Sequence, residues 1–417
     1  MMTTSIKVNK GKAFLALAVA LLFLIIGIII LKNYVDNKLP SIETSPPEGT
    51  YMTGIYGHSL DLTRDGGFIV SGYVKYQSRE YRDHDLWVMK ANKKGEMEWS
   101  KTFGGPSTDR AWAVKQMSDG EYLIAGETYS FGQDYQLLIL KLDRSGDQSW
   151  YKLLGGDHIE RGKGMHLTAD GNALISGEAY SDSLKRPNFL LAKVTADGEV
   201  LFEKSFDHDL SGAANSVSEL PNKDIVLLGN LQSEEDHSID FGLLRLNEGG
   251  KIVSKKRFGS INSDEANAIL ALPDGAYLIA GTEYKDPTNK ADVVVYKFNA
   301  ADELEWKNYY GGLSADGGEK IIVTADGGYA LVGYTQSFGA GFKDVYVIKL
   351  ASTGQTEWTQ TVGGNKTDWG YDLKQTPDHG FLISAGSKST GQNATDIWII
   401  KLDKNGLKEW DKVYCTP

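Results

Sequence analysis

The chain has 417 residues, among them 47 glycines, 21 tyrosines and 9 tryptophans but only 10 prolines. This composition is typical of a β-rich fold with many tight turns and does not suit a helical enzyme or a disordered tail. The formal net charge of −11 argues against a nucleic-acid partner, and the single cysteine, Cys415, excludes an intrachain disulfide framework and a cysteine-based zinc site.

The first predicted element is a membrane-spanning helix over residues 13–31. This run, AFLALAVALLFLIIGIIIL, has no charge or proline, and at about 1.5 Å per residue it spans roughly the 30 Å hydrocarbon core. No small-residue cleavage site follows it, which favours an uncleaved signal anchor over a cleaved signal peptide. Because lysines precede it, the positive-inside rule predicts a cytoplasmic segment over residues 1–12 and an extracytoplasmic remainder.

Beyond the anchor, a spacer is predicted over residues 32–49 and a repeat domain over residues 50–417. The spacer has prolines among polar neighbours and no periodicity. The repeat unit is about 52 residues long and occurs seven times. Its clearest mark is a hairpin turn, found at Asp65-Gly66, Asp119-Gly120, Asp170-Gly171, Asp274-Gly275 and Asp326-Gly327, with variants near residue 222 and at Asp378-His379-Gly380.

Each unit predicts four short strands joined by tight turns, which is an antiparallel meander. The second and third strands are apolar throughout, so each sheet needs cover on both faces, and neighbouring units can provide it. An open solenoid would need polar capping units, which neither end has. The sequence therefore predicts an all-β, seven-bladed β-propeller of four-stranded antiparallel blades, each built from contiguous chain, preceded by the transmembrane helix.

The order of an apolar strand ending in glycine, a loop, then D-x-W-x-I-K-L-D-x-x-G and W-x-K-x-x-G-G resembles Kelch-like propeller repeats of bacterial surface and secreted proteins. The stretches KLDRSGDQSW and KLDKNGLKEW are also similar to the tryptophan-docking motif of propellers of the pyrroloquinoline-quinone type. The resemblance covers residues 50–417 and implies the architecture. Such families include enzymes, scaffolds and adhesins, so it does not imply one chemistry.

Residues that recur from unit to unit are interpreted as structural. Tryptophans suit packing between blades, and aspartates just after the glycine pairs suit hydrogen bonds from backbone N–H groups. Each aspartate stands alone in its unit, without the dense oxygen ligands of a calcium loop, so no metal site is expected. One cysteine cannot form the vicinal cysteine pair of the best-known quinone-dependent dehydrogenases, so no cofactor is expected either. The structural set consists of Trp99, Trp150, Trp306, Trp358, Trp410, Asp109, Asp264, Asp316 and Asp368.

Specific binding is expected where the units differ most, in the loops between the second and third strands, which a propeller gathers on one rim. Exposed aromatic and arginine side chains there would suit a protein or polysaccharide ligand; ordinary polar loops are the alternative. The candidate residues are Tyr76, Arg79, Tyr81, Arg82, His84, Tyr129, Phe131, Phe338 and Phe342.

The sequence thus favours a membrane-anchored binding or scaffold module on the periplasmic or extracellular side. No common catalytic motif is present. The alternative is a carbohydrate-active enzyme, a lyase or hydrolase, which predicts tyrosine, histidine, arginine or acidic groups with perturbed pKa values in the central funnel. A third interpretation is a structural module for envelope assembly, which predicts a flat apolar patch and no pocket.

Overall fold

The structure is a computed structural model that describes residues 41–44, 51–77, 84–155, 158–181, 186–233, 237–284, 290–390 and 395–414. The predicted cytoplasmic segment, the predicted helix over 13–31 and most of the predicted spacer lie outside these ranges. Within them, no helix is long and apolar enough to cross a membrane. The chain divides into two compact regions, Met1–Ser41 and Ile42–Pro417, and the fold described below is that of the region Ile42–Pro417.

The described residues form β-strands numbered β1 to β28 in chain order. Their bounds are β1 Glu43–Thr44, β2 Tyr51–Leu62, β3 Phe68–Gln77, β4 His84–Ala91, β5 Met97–Phe103, β6 Asp109–Gln116, β7 Tyr122–Thr128, β8 Gln136–Leu142, β9 Gln148–Leu154, β10 Glu160–Leu167, β11 Ala173–Ser181, β12 Arg186–Val194, β13 Val200–Glu219, β14 Ile225–Gln232, β15 Ile239–Leu246, β16 Ile252–Phe258, β17 Glu265–Ala271, β18 Tyr277–Tyr284, β19 Ala291–Phe298, β20 Leu304–Tyr310, β21 Asp316–Val323, β22 Tyr329–Thr335, β23 Asp344–Leu350, β24 Thr356–Val362, β25 Asp368–Gln375, β26 Phe381–Ser387, β27 Asp396–Leu402 and β28 Lys408–Tyr414.

Across the described ranges the strands form six sheets. Four sheets have four strands in chain order, β6–β9, β17–β20, β21–β24 and β25–β28. Another has the order β1-β5-β4-β3-β2, and the last contains seven strands, β10 to β16. All the pairings within these sheets are antiparallel, so each sheet resembles a propeller blade or, in the seven-stranded case, two blades joined.

The prediction of seven separate four-stranded sheets differs from this arrangement at β13, which is 20 residues long. Its first part pairs with β12 through Phe206 and, beyond an irregularity, at Ser211, and its second part pairs with β14 from Gly212 onward. In four other units a glycine pair follows the fourth strand, but here Asp207 and His208 take that place. Without glycine the backbone stays extended, and one strand serves two units.

The two middle strands of a unit are buried on both faces, as in β7, where every residue is buried. The outermost strand, as in β16, alternates between exposed and half-buried residues. The turns follow from their residues: Gly120 has a φ of 87°, which strongly favours glycine, and the Asp119 carboxylate accepts the Glu121 N–H at 2.8 Å. Apolar side chains from neighbouring sheets fill the space between them.

The last sheet packs against the first. Ile397 of β27 and Ile55 of β2 belong to one buried cluster. The Ile55 N–H donates to the Thr395 carbonyl at 2.9 Å, and the Leu60 N–H donates to the Asp372 carboxylate at 3.0 Å. The two ends of the repeat region are therefore in direct contact.

A second contact between sheets repeats around the molecule. The large aromatic residue of one unit packs on a turn glycine of the next, and a Cβ on Gly95, whose φ is 71°, would lie 3.1 Å from the Trp410 ring. The pairs are Trp99 with Gly146, Trp150 with Gly198, Phe202 with Gly250, Trp306 with Gly354, Trp358 with Gly406, and Trp410 with Gly95.

The compact region Ile42–Pro417 begins before the predicted domain start at residue 50. Ile42 is 3% exposed, its N–H donates to the Gln148 side chain at 2.8 Å, and its carbonyl accepts the Gly104 N–H at 2.7 Å. β1 then pairs with β5. The end of the predicted spacer is part of the fold because the outer edge of β5 offers free backbone groups and an apolar site for Ile42.

Candidate functional site

The first strand of every unit lines one cavity of about 860 Å³, which we call the central channel. The strands that contribute are β2, β6, β10, β13, β17, β21 and β25. Neighbouring first strands contact one another, and β2 contacts both β6 and β25, so the channel is bounded on all sides by strands.

Each first strand carries a β-bulge at the same place, and the extra residue faces the channel. On β6, for example, the pairing with β7 shifts between Ala111 and Ala113, and Trp112 lines the cavity. A bulge leaves one residue out of the ladder and re-aims its side chain. The bulge residues, which we call the bulge ring, are His58, Trp112, Lys163, Asn215, Asn267, Glu319 and Tyr371.

The side chains of the two asparagines in the bulge ring hydrogen-bond to the backbone of a neighbouring strand. Asn215 donates to the Ala266 carbonyl and Asn267 donates to the Gly318 carbonyl, each at 2.9 Å. Each therefore links one first strand to the next. The aromatic, basic and acidic members of the ring remain as candidates for ligand contact.

His58 lies within an aromatic wall of the channel. Its ring centroid is 4.5 Å from Trp112, 4.6 Å from Tyr371 and 5.4 Å from Tyr73. Burial, with a smaller contribution from Arg110, lowers the pKa of His58 to about 3, so the imidazole is neutral at pH 7. Within the described residues its Nε2 atom has no hydrogen-bond partner, so a ligand hydroxyl would satisfy it.

Glu319 is the acidic member of the bulge ring. Burial, and then repulsion from Glu265, raise its pKa to about 7 against the opposing influence of Lys343. A carboxyl group with this pKa exchanges its proton near neutral pH, which suits general acid–base chemistry. The hydroxyl of Tyr371, also in the ring, has its pKa raised well above the usual value by burial.

One end of the channel, which we call the mouth, opens among the loops between second and third strands. Glu127 lies between two arginines there, 3.1 Å from the Arg110 guanidinium and 3.3 Å from that of Arg161. Arg161 also pairs with Glu178 at 2.8 Å. Burial raises the pKa of Glu127, against the effect of both arginines.

Aromatic rings flank the arginines of the mouth. The Arg161 guanidinium lies 4.1 Å from the centroid of the Tyr135 ring, and that of Arg110 lies 5.1 Å from the Tyr73 ring. Tyr129, which is 42% exposed, packs on Tyr135 with ring centroids 5.0 Å apart. The mouth thus presents flat apolar faces beside hydrogen-bond donors and acceptors.

At the opposite end, toward the Asp-Gly turns, lysines gather. Lys374 pairs with Asp372 at 2.8 Å, and Lys115 is 3.5 Å from Asp61. Lys320 lies in the electrostatic field of these four groups, and burial lowers its pKa to about 8. We call Lys115, Lys320 and Lys374 the lysine cluster.

The structure places the predicted rim residues in different environments. His84 and Tyr129 reach the mouth: the Arg110 guanidinium is 3.4 Å from the His84 ring nitrogen Nδ1, and burial lowers the pKa of His84 to about 4. Phe338 and Phe342, 44% and 78% exposed, lie on the rim in the β22–β23 loop. Arg79, Tyr81 and Arg82 lie outside the described residues.

Two predicted rim residues are largely packed inside. Tyr76 has an exposed fraction of 0% and belongs to the cluster that joins the first and last sheets, so it is not the exposed aromatic that the sequence predicted. The strand β3 extends to Gln77 and carries Tyr76 into the core. Phe131 is half-buried and packs on Tyr151 at 5.9 Å.

The residues predicted to be structural lie between and within the sheets. The tryptophans are half-buried in the contacts with turn glycines given above. Each of the four aspartates is fully buried, and its carboxylate accepts a backbone N–H from the preceding connection. The bonds are Gly105 to Asp109 at 2.9 Å, Ser260 to Asp264 at 2.5 Å, Gly312 to Asp316 at 2.7 Å and Gly364 to Asp368 at 2.8 Å.

The described part of the chain contains no group of three or more histidine, cysteine, aspartate or glutamate side chains placed to hold a metal ion. The channel offers lysines, one unpaired imidazole nitrogen and aromatic faces instead. These groups bind organic ligands through hydrogen bonds, charge and stacking.

Sequence reasoning missed the bulge ring and the lysine cluster because it looked for variation in loops. The signal was present in the first strands. At the position of His58 the units carry seven side chains of six types, whereas the neighbouring positions that face the core are small or apolar in nearly every unit. Variation inside a regular strand indicates a residue that does not serve the core.

Comparison with known proteins is informative only at the level of fold. No family model and no curated protein matches the chain. Two mutant structures of Synechocystis apocarotenoid oxygenase are similar at 10% identity, with TM-scores of 0.51 and 0.50, each covering 90% of this chain and 95% of the other. The β-propeller domain of the Trilobed protease from Pyrococcus furiosus is similar at 11% identity and a TM-score of 0.48, covering 88% and 95%. The sheets described above show an all-β fold of repeated antiparallel sheets that resemble propeller blades, and the likeness to the two oxygenase structures is one of fold alone.

Proposed function

We propose that the protein is a β-propeller binding module that holds a polysaccharide in its central channel. The polysaccharide leaves the channel through the mouth. The observation that carries the proposal is the bulge ring, in which one structural position supplies Trp112, His58 and Tyr371 as a continuous aromatic wall. A sugar ring has apolar C–H faces and a polar edge. Aromatic faces beside unpaired hydrogen-bonding groups match both.

The mouth supports the same ligand class. Tyr129 and Tyr135 pack against each other with their rings tilted by 38°, next to the Arg161 guanidinium, which is itself paired with the carboxylates of Glu127 and Glu178. Fixed side chains lose little conformational entropy when a ligand binds. A polysaccharide that leaves the channel here would pass over the loop rim, so the rim residues predicted from the sequence would extend the same site.

The architecture that we propose is a closed ring of seven blades of the Kelch-like or pyrroloquinoline-quinone-like kind. Two observations support the count. The seven-stranded sheet divides within β13 into two units of the repeat. Aromatic-on-glycine contacts join six of the seven pairs of neighbouring units, including Trp410 of the last sheet with Gly95 of the first, and a hydrogen bond from Ser254 to Asp302 takes their place in the remaining pair. Closure brings all seven first strands to one channel.

Membrane anchoring through residues 13–31 is part of the proposal, with the propeller on the extracytoplasmic side. The support is the charge-free apolar run and the lysines that precede it. Fractionation of cells that express the full chain, followed by external protease treatment, tests this. Digestion of the repeat region in intact cells or spheroplasts supports the proposal, and protection of that region contradicts it.

Binding is tested by displaying the full chain, in detergent, to an array of oligosaccharides and measuring the affinity of any glycan retained. Trp112→Ala should weaken binding about fivefold or more because it removes a stacking face worth about 1 kcal/mol. Leu407→Ala, in the turn between β27 and β28 and 64% exposed, lies outside the channel and the loop rim; it is the control and should bind as the parent does. No retained glycan, or equal losses in both variants, would refute the channel as the site.

A second candidate is a carbohydrate lyase or hydrolase, favoured by the Glu319 carboxyl group with its pKa near 7 and the Lys320 ammonium with its pKa near 8. Groups with such values can accept or donate a proton at neutral pH. Mass spectrometry of a retained oligosaccharide incubated with the full chain distinguishes the two functions. Shortened products that disappear with Glu319→Gln would indicate an enzyme, and an intact ligand would indicate a binding module.

A further inference from the structure

The central channel is basic although the whole chain is acidic. Residues that line it include five lysines but only three acidic residues, in a protein with a formal net charge of −11. Charge focused in a concave site of low dielectric attracts a ligand of opposite sign. The lining lysines are Lys115, Lys163, Lys223, Lys320 and Lys374, and the acidic residues are Glu219, Glu319 and Asp372.

The positive charge is concentrated in the lysine cluster, where three ammonium groups face two carboxylates. Both carboxylates also serve the backbone: Asp372 accepts the Leu60 N–H at 3.0 Å, and Asp61 accepts the Gln116 N–H at 3.0 Å. Each carboxylate therefore accepts a backbone N–H as well as pairing with a lysine, so it is not available to the lysines alone. The nearby His166 adds no charge at pH 7, since burial and two lysines lower its pKa to about 4.

Lys320 is the lysine left without a carboxylate. In the described part of the chain it makes no hydrogen bond or ion pair, and only more distant charges act on it. It is half-buried and lines the cavity. A partly desolvated ammonium group without a partner is costly, and an anion at this point would remove that cost.

We infer that the lysine cluster binds the carboxylate of an acidic sugar, so that the polysaccharide held in the channel is a uronic-acid polymer. This inference rests on the proposed function and names the charge class of its ligand. One carboxylate neutralises the single excess charge of three lysines against two aspartates. A phosphate or sulfate dianion would leave an excess negative charge within the cluster, so the charge balance of the cluster favours a monoanion.

The distance between the mouth and the cluster fits a chain-like ligand. Arg110 at the mouth and Lys115 at the cluster face residues four apart on β7, because β6 carries a bulge between them, so they lie about 13 Å apart at the usual rise of a strand. An oligosaccharide of a few units would contact the aromatic wall along its length and place an acidic group among the lysines.

The test is calorimetric titration of the full chain in detergent with tetramers of galacturonate, tetramers of galactose and inorganic phosphate. The galacturonate tetramer should bind at least tenfold more tightly than the galactose tetramer, and phosphate should bind more weakly than either. Lys320→Met keeps the alkyl stem and should remove at least tenfold of the affinity for the acidic tetramer while leaving the neutral one unchanged. Lys255→Met, an exposed lysine on β16, is the control for overall charge and should have no effect.

The outcomes separate this inference from the proposed function. Equal binding of acidic and neutral tetramers, unaffected by Lys320→Met, overturns the inference and leaves the polysaccharide proposal standing. Tight phosphate binding that Lys320→Met abolishes, with no glycan bound, overturns both, because the cluster would then serve a free oxyanion. A loss of galacturonate affinity in Lys255→Met equal to that in Lys320→Met also overturns the inference, since attraction would then be a property of the whole surface.

Discussion

Four turn aspartates show how single residues stabilise the strands of one sheet. Asp65, Asp170, Asp326 and Asp378 occupy the same place in four units, and each pairs with a buried lysine of its own sheet. A threonine two residues earlier adds a hydrogen bond to each carboxylate. A buried lysine is stable only with such partners, which explains why the basic residue and the turn aspartate recur together.

These contacts predict a loss of stability in acid. The Thr168 hydroxyl, followed by the Asn172 N–H and Lys193, lowers the pKa of Asp170 to about 2 against the opposing effect of burial. Burial also opposes the shift in the other three aspartates, but hydrogen bonds and the paired lysines together lower their pKa values to about 2. A carboxylate with a lowered folded-state pKa stabilises the fold above its unfolded pKa of about 4 and loses this contribution as the pH falls toward 2. The free energy of unfolding, measured with urea, should fall steadily between pH 4 and pH 2.

The control for acid stability is a variant with all four aspartates changed to asparagine. It should be less stable than the parent at pH 6 and show a shallower fall between pH 4 and pH 2, because asparagine does not titrate. Parallel pH profiles for the two proteins would show that other carboxylates carry the effect.

At the scale of elements, the sequence predicts strands well where the pattern is set by burial. The apolar second and third strands, such as β7 and β8, are the buried strands of the structure. The sequence did not predict the continuous strand β13, where the absence of a glycine pair lets one strand serve two units. The prediction was wrong at Tyr76, because the extent of β3 depends on pairing with β2 and not on local composition.

The contact between Trp410 and Gly95 gives a test of how the elements are joined. In a closed ring, Trp410 packs between the last and first sheets as Trp306 does between two central sheets. Trp410→Ala and Trp306→Ala should therefore lower the free energy of unfolding by similar amounts, about 3 kcal/mol each. Urea denaturation of the full chain measures both.

An open stack of sheets would give a different result. The outer face of the last sheet would then be exposed to water, and Trp410→Ala would cost less than about 0.5 kcal/mol, as surface substitutions do, while Trp306→Ala would stay costly. The comparison thus does not depend on the absolute size of either effect.

At the scale of the whole molecule, the sequence predicts repetition and the need for neighbours, but not the site that the repetition creates. Residues such as His58 and Tyr371 are more than 300 positions apart in the chain and 4.6 Å apart between ring centroids. Only the contact of the last sheet with the first brings them together. The lysine cluster arises in the same way, from β2, β6, β21 and β25.

The central channel exists because the first and last sheets meet, so their contact is the central claim. Gly54 of β2 and Thr395, next to β27, are bridge partners across this contact. A disulfide needs Cα atoms about 4.4–6.8 Å apart, which partners in a bridge satisfy. The direct measurement is therefore a thiol count and peptide mass analysis of Gly54→Cys with Thr395→Cys, in a chain whose single natural cysteine is changed by Cys415→Ser. The closed ring predicts an intramolecular disulfide and no free thiol, whereas two free thiols, or disulfides only between molecules, would contradict it.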